Sequence, residues 1–256
     1  MYKRPHIPRL EEKNARKGFF ERAEFDAIRR HLPEAIGDAA AVGYITGWRI
    51  SEITALEISN LDMDAAELRL EPHTTKNGKG RVFPMSDELV ALFRKRLARR
   101  VKLQKILRKR KQPMVSWLFW YENSKKEIRR LERFDKAWAT AAEKAGLPVI
   151  LMPRKNAKGE MLLFTRGPKK GKPKTRRRSV RMFHDFRRTA CRNLIRLGVP
   201  ETQAMQMIGW EDAAMLKRYH IVAKADLDVA RELMNRGLVA ESVAKRRFRG
   251  SKSAGS

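Results

Sequence analysis

The sequence is poor in cysteine, in acidic residues and in long apolar runs. Cys191 is the only cysteine among 256 residues, so no disulfide can form within the chain, and no Cys–His set for a structural zinc ion is present. No apolar run approaches the roughly 20 residues of a membrane-spanning helix, and the N-terminus lacks the apolar core of a signal peptide. These features predict a cytoplasmic protein with no membrane partner and no bound metal.

The charge of the chain points to a polyanionic partner. Lys and Arg number 58 against 29 Asp and Glu, which gives a net charge of +29. Nucleic acid is the default partner for such a charge. A ribosomal-type or merely basic protein has a similar composition, so charge alone leaves the function open. The length suits one large domain or two small ones.

Apolar residues recur at helical spacing in several parts of the chain. The segments are 19–31, 39–46, 86–111, 127–145, 185–197, 201–208 and 224–235. Gly47 ends the second of these helices, and Ser51 is a suitable N-cap for a short helix that begins at Glu52. Arg49 is therefore expected on the turn between two buried helices, which is a rigid place to hold a side chain.

Two short segments predict an antiparallel hairpin. Residues 67–71 alternate with the period of a strand, and residues 81–84 return as a second strand after the Asn77-Gly78 turn. Lys76 lies immediately before that turn. The predicted fold class is therefore mainly α with a small antiparallel β-sheet at its edge (α+β).

Residues 149–179 form an unusual basic insert. The apolar runs 149–152 and 161–164 flank a polar turn, which predicts a hairpin between them. Residues 166–178 are rich in positive charge, Gly and Pro, so we expect a mobile loop that is ordered only on a phosphate backbone. A solvated, disordered insert fits the same composition. The candidate DNA contacts are Lys79, Arg81, Lys169, Lys170, Lys172, Lys174, Arg176, Arg177 and Arg178.

His184 and Arg187 are spaced for one face of a helix. A histidine and an arginine aimed at one point can bind an anion, most plausibly a phosphate. Trp210 and Tyr219 follow downstream. Each of these residues, taken alone, has an ordinary structural explanation as a core, ion-pair or surface side chain.

The ordered set resembles the catalytic half of the tyrosine recombinases (phage integrase family). Residues 46–56 resemble the first signature box, 75–84 the family's hairpin, and 184–189 the second box, with Arg218-Tyr219 downstream. The resemblance spans roughly 18–222 apart from the insert. It implies a catalytic domain of that fold at 19–222. Composition and apolar spacing predict a basic arm or linker at 1–18, and a helix followed by a disordered basic tail at 223–256.

The resemblance also implies a role for each residue. Tyr219 attacks the scissile phosphate and forms a 3′-phosphotyrosine, while Arg49 and Arg187 stabilise charge on its oxygens. Lys76 protonates the 5′-hydroxyl leaving group, and His184 assists proton transfer or orients the phosphate. Trp210, whose indole can only donate, contacts the phosphate. No metal or other cofactor is required, since the arginines stabilise the charge.

Double-stranded DNA and a homo-oligomer, a tetramer on DNA, are the expected partners, with residues 224–235 docking on a neighbouring copy. Family members typically have a core-binding domain ahead of the catalytic one, which residues 1–18 cannot supply. Two alternatives remain open. A type IB topoisomerase or telomere resolvase would use the same chemistry, and a non-catalytic DNA-binding protein could keep the fold.

Overall fold

The computed structural model describes residues 19–72, 78–211, 231–232 and 234–236. The chain divides into two units, residues 1–211 and 212–256. In the first unit the helices are α1 (Arg22–Arg29), α2 (Glu34–Thr46), α3 (Ile50–Thr54), α4 (Asp87–Lys109), α5 (Asp135–Lys144), α6 (Phe186–Arg196) and α7 (Glu201–Ile208). In the second unit the described residues are helical, and all but Arg236 lie within the predicted helix 224–235.

The strands are short and antiparallel, and they form three small sheets. They are β1 (Leu61–Asp62), β2 (Glu67–Leu70), β3 (Arg81–Pro84), β4 (Trp120–Glu122), β5 (Ile128–Arg130), β6 (Val149–Pro153) and β7 (Thr175–Ser179). The order is β1-β2-β3 in the first sheet, and β4-β5 and β6-β7 form separate pairs. The predicted hairpin is confirmed, with Leu68 opposite Phe83. Helices and small antiparallel sheets together confirm the predicted fold class.

Phe186 lies at the centre of the aromatic core of the first unit. The rings of Phe20, Phe25, Tyr44, Trp138 and Phe183 lie with their centroids 4.8 to 5.7 Å from that of Phe186. Large buried rings of this kind dominate the energetics of a core, and their edge-to-face contacts add to it. Because Phe186 is on the first turn of α6, this cluster fixes the helix that begins just after His184.

The prediction of one helix over 127–145 is wrong in its first half. Asn123 Oδ1 accepts the backbone N–H groups of Lys125 (2.9 Å) and Glu127 (3.0 Å), which closes a tight turn. Lys126 takes a left-handed φ of 62° in that turn. The chain then returns as β5 along β4, with Tyr121 opposite Arg129. Local side-chain hydrogen bonds of Asn compete with helix formation in this way.

The insert is ordered differently from the prediction. Strand β6 pairs with β7, so that Leu151 lies opposite Arg177, whereas residues 161–164 make only isolated bridges. The segment expected as a mobile loop thus contains a regular strand. Arg177 pairs with Glu143 of α5, and Ser179 is buried, so β7 is anchored on the body of the domain. Among the described residues no helix is long and apolar enough to cross a membrane.

Candidate active site

Arg49 lies at the N-cap of α3, where Glu52 holds it at two points. Glu52 Oε2 accepts the backbone N–H of Arg49 (2.8 Å), and Oε1 accepts its Nη1–H (2.9 Å). The carboxylate itself is buried. Ser51 was expected as the N-cap of a helix starting at Glu52, but α3 begins one residue before Ser51 because the Glu52 carboxylate satisfies the free N–H of Arg49.

Gly47 brings the turn before Arg49 close to α6. It ends α2 with a left-handed φ of 65°, which a glycine adopts without strain. A Cβ at this position would lie 2.9 Å from Ala190 Cβ and 3.3 Å from Arg187 Cα. The absent side chain therefore permits the close approach that places Arg49 and Arg187 on neighbouring turns.

Arg187 reaches across two helix ends. Its Nη1 donates to Gly47 O (3.1 Å) and its Nη2 donates to Gly209 O (3.4 Å). The residue is only 5 % exposed. Carbonyls at helix C-termini have no partner within the helix, and here they fix the plane of the guanidinium. Arg187 is thereby held between the segments that contain Arg49 and Trp210.

The turn at Gly209 positions Trp210. Gly209 ends α7 with a φ of 79°, and Trp210, which follows it, is buried. A second tryptophan joins this turn to the first arginine, because Trp48 Nε1 donates to Met207 O (2.8 Å). This hydrogen bond therefore connects the segment 47–49 directly to the segment 207–210.

The side chain of Arg81, which the sequence analysis predicts as a DNA contact, is buried. It is 6 % exposed, and its Nη2 pairs with Glu52 Oε2. Its guanidinium lies 5.0 Å from the centroid of the Trp48 ring, and a Cβ at Gly209 would collide with it. Burial lowers the pKa of Arg81, an effect that Glu52 opposes. Arg81 thus links β3 to the segments of Arg49 and Trp210.

His184 is exposed on a 3₁₀ turn, Phe183–Asp185, just before α6. Asp185 fixes that turn, because its Oδ2 accepts the Met182 N–H (2.8 Å) and its Oδ1 accepts Arg188 Nη2 (2.7 Å). His184 and Arg187 were expected on one helix, whereas the structure divides them between the turn and the helix. An exposed imidazole beside a fixed helix start can meet a ligand from solvent.

Two of the six predicted catalytic residues, Lys76 and Tyr219, lie outside the described residues. Lys76 lies between β2 and β3 in the sequence, and the description of that hairpin ends at residue 72 and resumes at Gly78. Lys79 is 78 % exposed, and its Nζ is 3.4 Å from Glu211 Oε1. The structure therefore brings together Arg49, Arg187 and Trp210, and it shows His184 at the start of the helix of Arg187.

The basic side chains of the insert lie on an exposed hairpin. Lys169, Lys170, Lys172, Arg176 and Arg177 are exposed, whereas Lys174 and Arg178 are half-buried. Lys174 Nζ lies 5.7 Å from the centroid of the Phe164 ring. Side chains of this kind suit a phosphate backbone, since they remain hydrated until a polyanion meets them.

The comparisons with known proteins agree with this geometry. The model of the family described as "Phage integrase family" matches residues 25–226. The chain belongs to the phage integrase family. It is 23% identical over 241 residues to the integrase of Salmonella phage P22, a match that covers 90% of this chain and 51% of that protein. The chain thus spans about half the length of this curated relative.

Two solved structures share the fold. The XerA recombinase superposes with a TM-score of 0.55 at 16% identity, over 90% of this chain and 67% of that one. The Tn1549 transposon integrase in complex with transposon right end DNA superposes with a TM-score of 0.52 at 17% identity, over 89% and 68%. At these identities the likeness concerns the fold alone.

Sequence reasoning missed Glu52 and the structural use of Arg81. In the sequence analysis Glu52 is only the first residue of a predicted short helix. Its position three residues after Arg49 is the spacing at which a side chain reaches back to an N-cap. That spacing could have identified Glu52 as the residue that orients the arginine.

Proposed function

We propose that this protein is a site-specific DNA recombinase that cuts and rejoins DNA strands through Tyr219. The observation that supports it best is the fixed arrangement of Arg187 on the carbonyls of Gly47 and Gly209, which lie two residues before Arg49 and one before Trp210. Two arginines held this way present planar forks of donors to one phosphate. They need no reorganisation when charge develops on its oxygens.

The proposed reaction follows from the residue types. Tyr219 Oη gives up its proton to His184 or to water and attacks the scissile phosphorus, the bond from phosphorus to O5′ breaks, and a 3′-phosphotyrosine forms. Lys76 delivers a proton to the departing O5′, and His184 assists proton transfer or orients the phosphate. Trp210 contributes an N–H to the phosphate and packing to the turn. The freed 5′-hydroxyl of a second strand can then reverse these steps and reseal the DNA.

Double-stranded DNA is the proposed partner, and the insert 149–179 and Lys79 are its proposed contacts outside the catalytic residues. The net charge of +29 favours this partner, and the function implies a cytoplasmic protein that works on the nucleoid. The neighbour from Tn1549 is a structure with transposon DNA, and the family is that of phage integrases. These relatives favour recombination over plain relaxation of supercoils.

Covalent trapping tests the proposed nucleophile. The protein is incubated with a pool of nicked duplexes of randomised sequence, denatured and examined for a protein–DNA adduct. Tyr219→Phe should abolish the adduct, and Tyr121→Phe is the matched control because Tyr121 is an exposed tyrosine on β4. An adduct that persists in Tyr219→Phe overturns the nucleophile. No adduct from the wild type on DNA that it binds rejects strand cutting by this chain.

We further propose that several copies, four in the active assembly, act together on DNA and that residues 224–235, within the segment 223–256, form the contact between copies. Deleting residues 223–256 should leave a protein that binds DNA as single copies. Cross-linking on a duplex of about 30 base pairs measures the stoichiometry. Higher-order species that persist after the deletion would overturn this assignment.

A further inference from the structure

A cavity of about 190 Å³ lies between β7, the start of α5 and the turn that holds His184. Its walls include Ile50, which follows Arg49, and Phe183, which precedes His184. The cavity therefore adjoins the backbone of two proposed catalytic residues on one side and the basic insert on the other. Neither the family match nor the proposed catalytic set assigns it a ligand.

Positive charge dominates the walls of this cavity. Four arginines line it against a single carboxylate, and they are Arg133, Arg176, Arg177 and Arg178, with Asp135 as the acid. Arg177 is paired with Glu143, and Arg133 Nε lies 3.4 Å from Asp135 Oδ2. The arginines of the cavity thus outnumber the carboxylates near them, so that an anion in the cavity would experience a net positive charge.

Arg178 differs from the other three arginines. It is half-buried, and it directs Nε and Nη2 at Met182 Sδ. A thioether sulfur is a weak acceptor, and in the part of the chain that the structure describes no carboxylate pairs with Arg178. A phosphate oxygen would be a much stronger partner for the same two donors.

Ser179 supplies an independent sign of a ligand. It lines the cavity and is 2 % exposed, and its buried Oγ has no hydrogen-bond partner within the described ranges. Buried hydroxyls almost always have a partner, because an unmet one is costly. A bound group that accepts a hydrogen bond would satisfy this hydroxyl.

We propose that this cavity binds a backbone phosphate of the DNA beside the phosphate that is cut, with Arg178 and Ser179 as donors. The inference rests on the proposed function and names a subsite of it. The apolar floor, formed by Phe134, Trp138 and Met182, strengthens such a charge-assisted contact because it lowers the local dielectric.

A second cavity extends the same path along the insert. It has a volume of about 730 Å³, shares Arg133, Arg176 and Arg177 with the first, and continues to Arg154 and Thr175. Consecutive phosphates of one strand would therefore follow β7 outward from the active site. The subsite joins the insert to the catalytic residues, so that binding along the hairpin aligns the strand for cleavage.

Salt-dependent binding of a 30-base-pair mixed-sequence duplex, followed by fluorescence anisotropy, tests the subsite. Arg178→Gln should make the slope of log affinity against log salt shallower by about 0.9, the value for one phosphate contact, and weaken binding about tenfold at 0.1 M salt. Arg129→Gln is the matched control, because Arg129 is an exposed arginine on β5 that pairs with Glu127. It should retain the wild-type slope and affinity.

Ser179→Ala separates ligand binding from structure. The variant should weaken DNA binding about threefold to tenfold and leave the melting temperature unchanged or raised, since it removes a hydroxyl with no protein partner. If Arg178→Gln fails to fold, the DNA affinity of Ser179→Ala still tests the phosphate subsite. Wild-type affinity in Ser179→Ala, or a wild-type slope in a folded Arg178→Gln, overturns the subsite alone. A wild type that binds no duplex overturns the proposed function as well.

Discussion

At the scale of the residue, Arg81 shows how burial changes the role of a basic side chain. On the surface it would add one phosphate contact. Inside, it joins the Glu52 carboxylate, the Trp48 ring and the Gly209 turn. These are the neighbours that fix Arg49 and Trp210. We therefore expect Arg81 to position Arg49, the proposed catalytic arginine, and not to touch DNA.

Arg81→Lys should slow adduct formation at saturating DNA by about tenfold or more, with the DNA affinity nearly unchanged. A lysine cannot reproduce the planar fork or the stacking on Trp48. Rates and affinities of trapping on nicked DNA measure the two effects separately. Lys79→Gln is the converse control, since Lys79 is exposed and should affect affinity more than rate. A weakened affinity with an unchanged rate in Arg81→Lys would restore Arg81 to the DNA contacts.

The position of Arg81 on β3 accounts for this burial. Alternate residues of a strand face the same side, and Arg81 shares its side of β3 with Phe83, which is 3 % exposed, whereas Val82 is 44 % exposed. Basic residues near a proposed DNA site invite assignment to the surface by charge alone. Apolar alternation could not decide the position of Arg81, because Val82 and Phe83 are both apolar and either side of the strand could face the core.

Cys191 provides a second test at this scale. Burial on α6 raises the pKa of its thiol to about 12, so the thiolate is scarce in the folded protein at pH 8. The native protein should therefore resist a thiol-reactive reagent at pH 8 and react with one equivalent in guanidinium chloride. Because the folded pKa lies above the unfolded one, this thiol costs stability as pH rises above about 9. Rapid labelling of native protein would contradict its burial.

At the scale of the element, a buried charge cluster ties α2 to α4. Asp38 Oδ1 lies 3.3 Å from Lys95 Nζ and 3.6 Å from Arg29 Nη2, and its Oδ2 lies 3.8 Å from Arg96 Nη1. Arg96 is 2 % exposed, and both its Nε and Nη2 donate to Leu118 O. Burial lowers the pKa of Arg96, and Asp38 opposes that effect. The carboxylate therefore offsets part of the cost of burying a charged guanidinium.

Asp38→Ala should destabilise the protein by about 3–5 kcal/mol, because it leaves Arg96 buried without its countercharge. In a domain of this size that loss lowers the melting temperature by roughly 10 °C. Differential scanning calorimetry measures it. Asp64→Ala is the control, since Asp64 is exposed and its replacement should change stability by less than about 0.5 kcal/mol. Equal melting temperatures for the two variants would mean that the cluster contributes nothing.

Elements were predictable where one pattern acted alone. The amphipathic spacing of 185–197 and the alternation of 67–71 gave helix and strand correctly. The prediction of one helix over 127–145 was wrong in its first half because the Asn turn at 123–127 competes with the helix. The spacing of apolar residues gives no information about such side-chain hydrogen bonds. The prediction of which segment pairs with β6 was wrong, because Thr175–Ser179 contains three consecutive arginines and no apolar alternation that would indicate a strand. The place of this segment is fixed by the contact with α5 and not by its own pattern.

At the scale of the whole molecule, the insert behaves as a self-contained arm on the domain. Beyond the β6–β7 pairing its backbone hydrogen bonds are internal, as in Arg154 N to Lys174 O, Leu162 N to Arg154 O, and Lys174 N to Leu162 O. The strands at its base are anchored to α5 through Arg177 and Glu143. The charge of the insert can therefore be removed without disturbing the fold. The tip, residues 154–174, contributes positive charge, whereas the base, β6 and β7, anchors the insert to α5.

Replacing residues 154–174 with an Asn-Gly turn should remove DNA affinity without unfolding the protein. The change deletes eight basic side chains and one acidic one, while the register from Val149 with Ser179 to Pro153 with Thr175 is kept. The two-residue turn suits antiparallel strands, so the melting temperature should change by no more than about 3 °C. The slope of log affinity against log salt should fall by about 0.9 for each phosphate that the tip contacts.

Replacing Lys125-Lys126 with Gln-Gly at the tip of the β4–β5 hairpin is the control, because Gly accepts the left-handed φ there. An unchanged slope in the shortened protein would show that the tip meets no DNA, and would confine the contacts of the insert to β7.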